Sequence, residues 1–139
     1  ITMQASFHLS LPCYDVDITK DFYVNRLGAK LGRNANNWLD INLYGNQITF
    51  TKSGRFDFNY QNYSFEGKIL PSFHFGVIVD IITWGKIYAK VNAANIEVFD
   101  EVTFLKNKKG EHISFFVKDP NGFMVEFKSF SQEEEVFKS

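Results

Sequence analysis

The chain is written twice. Phe7-His8-Leu9-Ser10-Leu11 alternates as a strand does, and half a chain later Phe73-His74-Phe75-Gly76-Val77-Ile78-Val79 opens with the same Phe-His pair. Each is followed by a capping residue and an amphipathic helical run. In the first half Asp15 or Asp17 caps a run whose apolar positions are Ile18, Phe22, Tyr23, the Arg26 stem and Leu27, with Gly28 as its left-handed stop. In the second, Asp80 or Thr83 precedes Trp84, Ile87, Tyr88 and Val91, and the run ends near Asn95. Three strand-like segments then follow each helix: 29–33, 38–43 and 47–52, and later 96–99 (with a continuation towards Leu105), 111–118 and 123–129. The last two strands of each half are joined by turns, Tyr44-Gly45-Asn46 and Asp119-Pro120-Asn121-Gly122. Aligning these turns on glycine pairs Gly45 with Gly122 and Phe50 with Phe127, as a duplication would. The fold class expected is α+β: two tandem βαβββ modules at 5–52 and 71–130, a linker at 53–70 and a tail at 131–139.

The linker carries Phe56, Phe58, Tyr60, Tyr63 and Phe65. It reads either as a loop covering a core edge or dimer contact, or as an aromatic wall or lid over a pocket. The tail's Glu133-Glu134-Glu135 run reads as a solvated terminus.

Several function classes are excluded by composition. With 15 basic and 16 acidic residues there is no basic excess to neutralise phosphates, so nucleic acid is not an expected partner. The purest apolar stretch, 75–79, stops at Asp80, far short of the roughly 20 residues a spanning helix needs. Cys13 is the single cysteine and cannot form an internal disulfide. The start shows no basic region followed by an apolar core, and Met3 is a candidate native start with Ile1 and Thr2 as a remnant before it. The expectation is a soluble, cytoplasmic protein.

The two repeat-matched histidines mark the candidate site. On a strand His8 shares a face with Ser6 and Ser10, His74 with Gly76 and Ile78, and Glu126 with Met124 and Lys128. In each case a clean apolar row lies on the other face, to pack on the helix of its repeat. Glu126 stands among Phe123, Val125 and Phe127, and an uncompensated carboxylate there is costly. Two neutral imidazoles and one carboxylate around a metal would compensate it and leave coordination positions open.

These paired modules, each opening with Phe-His, and the final Asp-Pro-Asn-Gly-x-x-x-Glu segment resemble the vicinal oxygen chelate superfamily, which includes glyoxalase I, extradiol dioxygenases and the fosfomycin- and bleomycin-resistance proteins. The resemblance spans residues 5–130. The stretch Glu111-His112-Ile113-Ser114-Phe115-Phe116-Val117-Lys118 before the turn is most similar to small extradiol-type dioxygenases. It implies two modules curving a mixed sheet around a metal cleft, with His8, His74 and Glu126 as ligands. Glyoxalase I adds a fourth, a glutamate at the position of Thr49. Gln47, two residues away, could reach the metal or a substrate by its amide oxygen. Three ligands imply Fe(II) first, with Zn, Ni or Mn as alternatives. Extradiol enzymes place a tyrosine where Phe116 stands. His112 is a candidate acid or base, Ser114 could assist it, and Trp38 with the linker rings would wall a planar substrate. The function implied is extradiol-type cleavage of a small molecule that chelates the metal through adjacent oxygens. The alternatives are a glyoxalase-like lyase or isomerase, a resistance-type transferase on a non-redox metal, and a non-catalytic small-molecule binder. A homodimer is implied.

Overall fold

The computed structural model describes residues 5–138, so the candidate start at Met3 lies outside the described residues. The chain divides into two compact units, one ending at Asp57 and the other beginning at Phe58.

In the first unit β1 (His8–Cys13) leads into α1 (Val16–Lys20), which continues as a π-helical turn over Asp21–Arg26. Then come β2 (Lys30–Ala35), β3 (Trp38–Leu43) and β4 (Asn46–Lys52), giving sheet order β1-β4-β3-β2 with β1 and β4 parallel. Asp15 is the N-cap, its Oδ1 accepting from the Ile18 N–H at 2.9 Å. The expected apolar stripe is corrected at one position: Ile18 is 55% exposed, and Thr19 is buried instead. Val16, Thr19, Tyr23 and Leu27 recur at three- and four-residue steps, which leaves Ile18 about 100° off the stripe. Thr19 tolerates burial because its hydroxyl donates to the Asp15 carbonyl at 2.7 Å. Tyr44 and Gly45 both have positive φ (52° and 89°), the mirror-image turn that suits a tight hairpin.

In the second unit β7 (Phe75–Ile78) is followed by α2 (Ile81–Ala93), capped by Asp80, and by β8 (Phe99–Phe104), β9 (His112–Lys118) and β10 (Met124–Phe130). The order β7-β10-β9-β8, with β7 and β10 parallel, repeats the first sheet. Trp84, Ile87 and Val91 are buried on α2, and the Trp84 indole N–H donates to the Phe127 carbonyl at 3.0 Å. The turn after β9 closes as expected, with Asp119 Oδ1 accepting from the N–H groups of Asn121 (2.9 Å) and Phe123 (2.8 Å). The strand expected from 96 starts only at Phe99.

Two segments are more ordered than their composition suggests. The linker forms a hairpin, β5 (Tyr63–Phe65) and β6 (Lys68–Leu70), turning at Glu66 and Gly67. Leu70 is buried against Phe104 and Phe116 with Phe65 beside it, so the hairpin belongs to the second unit. The acidic tail is pinned rather than free, because the Gly110 N–H donates to Glu135 Oε1 at 2.8 Å. No described helix is long and apolar enough to cross a membrane.

Candidate functional site

Glu126 is a buried acid of the second unit, on β10, and it is held from two sides. Ser114 on β9 donates its hydroxyl to Oε2 at 2.7 Å, and His74 Nε2 lies 3.3 Å from Oε1. His74 sits just before β7, where its Nδ1 is 2.8 Å from the Pro71 carbonyl. A carbonyl only accepts, so Nδ1 carries a hydrogen, and Nε2 is the nitrogen turned towards the carboxylate. A neutral ring would then aim a lone pair at Oε1. Something positive has to stand between them, either a proton or a metal ion.

Without metal the proton takes that place. The hydrogen bond with Glu126 holds His74 above its ordinary 6.5, against the opposing effect of burial. Burial pushes Glu126 upward, but hydrogen bonds from His74 and Ser114 and the charge of Lys128 outweigh it and hold the carboxyl below 4.5. A divalent metal suits the same pair: one imidazole nitrogen, one carboxylate oxygen, and each ligand fixed by a further hydrogen bond. Among the described residues no group of three or more His, Cys, Asp or Glu side chains stands ready to hold a metal. The second unit thus brings together two of the three expected ligand side chains, His74 and Glu126.

Around this pair the wall is apolar. Phe116 lies opposite Glu126 in the β9–β10 ladder, is fully buried, and meets the His74 ring edge-on at 5.2 Å. Tyr63 pairs with Leu70, which packs on Phe116. Burial, and then the charge of Glu126, hold the Tyr63 phenol above its ordinary 10.0. The hairpin's Phe65 and Leu70 thus pack beside Phe116. A pocket of about 540 Å³ lies among Phe58, Tyr60, Phe99, Lys118 and Met124. His112 shares the strand face of Ser114 and Glu126 but pairs with Phe130, four residues from the Phe116–Glu126 pair, roughly 13 Å along the strand. Its Nδ1 is 2.9 Å from the Gly110 carbonyl and its ring lies between Phe104 and Phe130. The structure does not bring it to the pair.

The first unit places His8 by the same rule. Ser10 pairs with Thr49 as Gly76 pairs with Glu126, and each histidine stands two residues earlier. His8 is exposed and opposes Gln47. Thr49 and Gln47 both turn to a residue that sequence reasoning missed, Asp40 on β3. Its carboxylate, 5% exposed, accepts from Thr49 Oγ1 at 2.7 Å and from Gln47 Nε2 at 3.2 Å. The available signal was the alternation Trp38, Asp40, Asn42 on one strand face, which puts an acid beside Thr49 once β3 and β4 are paired. Trp38 is half-buried on this face, opposite Thr51.

The family model of the Glyoxalase/Bleomycin resistance protein/Dioxygenase superfamily matches residues 6–127. No curated protein sequence matches the chain. Among solved structures, a glyoxalase/bleomycin resistance protein/dioxygenase from Alicyclobacillus acidocaldarius is 27% identical with a TM-score of 0.81, over 96% of each chain. The fosfomycin resistance protein FosX from Listeria monocytogenes, complexed with Mn(II) and sulfate, is 15% identical with a TM-score of 0.66, again over 96% of each. An integron cassette protein from V. cholerae is 20% identical with a TM-score of 0.64, over 94% of this chain and 98% of that one. The last two are likenesses of fold.

Proposed function

We propose a metal-dependent enzyme, because the chain belongs to the Glyoxalase/Bleomycin resistance protein/Dioxygenase superfamily and an imidazole and a carboxylate able to share a metal stand together in its second module. The carrying observation is the 3.3 Å approach of His74 Nε2 to Glu126 Oε1, with Nδ1 committed to Pro71. His8 is the third ligand in this reading, supported by its equivalent register in the first module. The metal is divalent. Fe(II) is favoured over Zn, Ni or Mn, because two histidines and one carboxylate leave positions open for a substrate and for oxygen. When bound, such a metal would lower the pKa of a substrate chelating through adjacent oxygens and, as iron, supply the redox chemistry of extradiol-type cleavage.

The protein's own contribution is positioning. Pro71 fixes the His74 tautomer, Ser114 fixes the carboxylate, and Phe116 gives the His74 ring an apolar edge to pack on. A small planar substrate suits the aromatic wall. A homodimer in the cytoplasm is part of the same reading.

One observation favours a second reading. Phe116 carries no hydroxyl where extradiol enzymes have a phenol, which points to a non-redox lyase, isomerase or resistance-type transferase on Mn, Zn or Ni. Metal analysis of anaerobically purified protein, followed by oxygen uptake with catechol-like compounds, separates the two. Stoichiometric iron with oxygen consumption is the expected result. A different metal with no oxygen consumed supports the second reading. His74→Ala and His8→Ala should each lose the metal, and full occupancy in either would remove that residue from the ligand set. A protein that takes no metal even on reconstitution is a small-molecule binder.

A further inference from the structure

The first module holds an arginine in a way that the ligand pair does not explain. β2 and β3 lose register between Leu31 and Asn34, so Gly32 and Arg33 share the stretch opposite Asp40. Such a bulge re-aims side chains. Gly32 makes it possible, since a Cβ there would lie 3.1 Å from both the Cβ and the carbonyl oxygen of Asp40. Arg33 is turned across the strand as a result. Its Nε lies 3.3 Å from Asp40 Oδ2, and its guanidinium carbon lies 5.6 Å over the Trp38 ring. Asp40 in turn is buried and fixed by Thr49 and Gln47.

The anchoring uses only one edge of the guanidinium. Among the described residues nothing hydrogen-bonds its two terminal amino groups, and the side chain is 80% exposed. An ordinary surface arginine loses that position to side-chain entropy. Here a buried carboxylate holds the edge and an indole supports the face, so the outward fork is preorganised at the mouth of a pocket of about 330 Å³ that Ser6, Asn42 and Asn46 also line. A planar fork of N–H donors matches an oxyanion that offers two oxygens. Asp40 also lines that pocket and offsets part of the arginine's charge, so the docking rests on the donor geometry of the free fork.

We propose that Arg33 is an oxyanion-docking residue: Asp40 and Trp38 hold its guanidinium so that the terminal amino groups receive a carboxylate or phosphate group. Assigning that anion to the enzyme's substrate rests on the reading above, whereas the binding itself does not. Asp40 lies two strands from β1, so the docked anion would sit roughly 10 Å from the strand that carries His8. The substrate class is then a small molecule with an anionic group remote from its chelating oxygens.

The test is a titration of the full chain with inorganic phosphate at constant ionic strength, following the Arg33 Nε–H and Gly32 amide signals by NMR. Both should move together and saturate. In Arg33→Gln the midpoint should rise about tenfold, the loss of a charge-assisted bond. Arg33→Lys, which keeps the charge without the fork, should stay nearer to Gln than to the native chain. His74→Ala should titrate like the native protein, so phosphate binding survives even if the metal assignment fails. An unchanged midpoint in Arg33→Gln overturns the proposal. So do shifts confined to residues away from Arg33, or loss of phosphate binding in His74→Ala.

Discussion

Gly76 faces Glu126 across the β7–β10 ladder so closely that a Cβ at 76 would run into the Glu126 carbonyl. The backbone that presents the acid is thus packed against a residue with no side chain. β7 reaches β10 only because position 76 is empty, and that contact fixes where His74, two residues earlier, is set down.

Gly76→Ala should therefore act twice. Overpacking of this kind costs about 1–3 kcal/mol, and metal affinity should fall along with the melting temperature. An alanine variant with native stability and native metal content would show that the strands can part without moving the pair.

Ser114→Ala removes the hydroxyl that holds Glu126 Oε2. A buried acceptor left unpaired costs about 1–3 kcal/mol, and losing a hydrogen bond behind a metal ligand weakens the metal by roughly 10–100-fold. Denaturant melts of the metal-free protein and competition with a coloured chelator read these two effects separately. If only stability changes, Ser114 is a structural partner alone.

The metal-free pair should leave a signature in pH. His74 is raised above 6.5, so its contribution to stability is complete below 6.5 and fades as pH rises through the higher folded value. Glu126 is lowered below 4.5, so its contribution is complete above 4.5 and fades as pH falls through the lower folded value. The stability difference between the native chain and His74→Ala should peak between 4.5 and 6.5 and shrink above that range. A difference that stays flat from pH 5 to 9 would mean the two side chains do not share a proton.

Chelation should destabilise the native protein and spare His74→Ala. A metal present at a hundred times its dissociation constant contributes about 2.7 kcal/mol, visible as a lower Tm once EDTA removes it. Equal losses in the two proteins would place the metal elsewhere.

Much of this was legible in the chain itself. The Phe-His openings, the Asp15 and Asp80 caps and the two hairpin turns set out both modules, because strand alternation, capping and left-handed turns are local properties of neighbouring residues. Ile18 was misplaced for the opposite reason: which side of a short helix meets the sheet is settled by packing, and a satisfied threonine can take the buried position. The hairpin at 63–70 was hidden because an aromatic-rich segment reads equally as a cover or a lid until its partner surface is known.

Local patterning was enough to order the elements of the two modules and to set the face on which His8, His74 and Glu126 stand, since alternation along a strand needs no knowledge of the neighbouring strand. What those faces meet came from the packing of the strands against one another. The Pro71 carbonyl chooses the His74 nitrogen, Ser114 chooses the orientation of Glu126, and a bulge at Gly32 brings Arg33 onto a buried Asp40. Each depends on strand register, and register is a long-range outcome of core packing that no short stretch of sequence encodes.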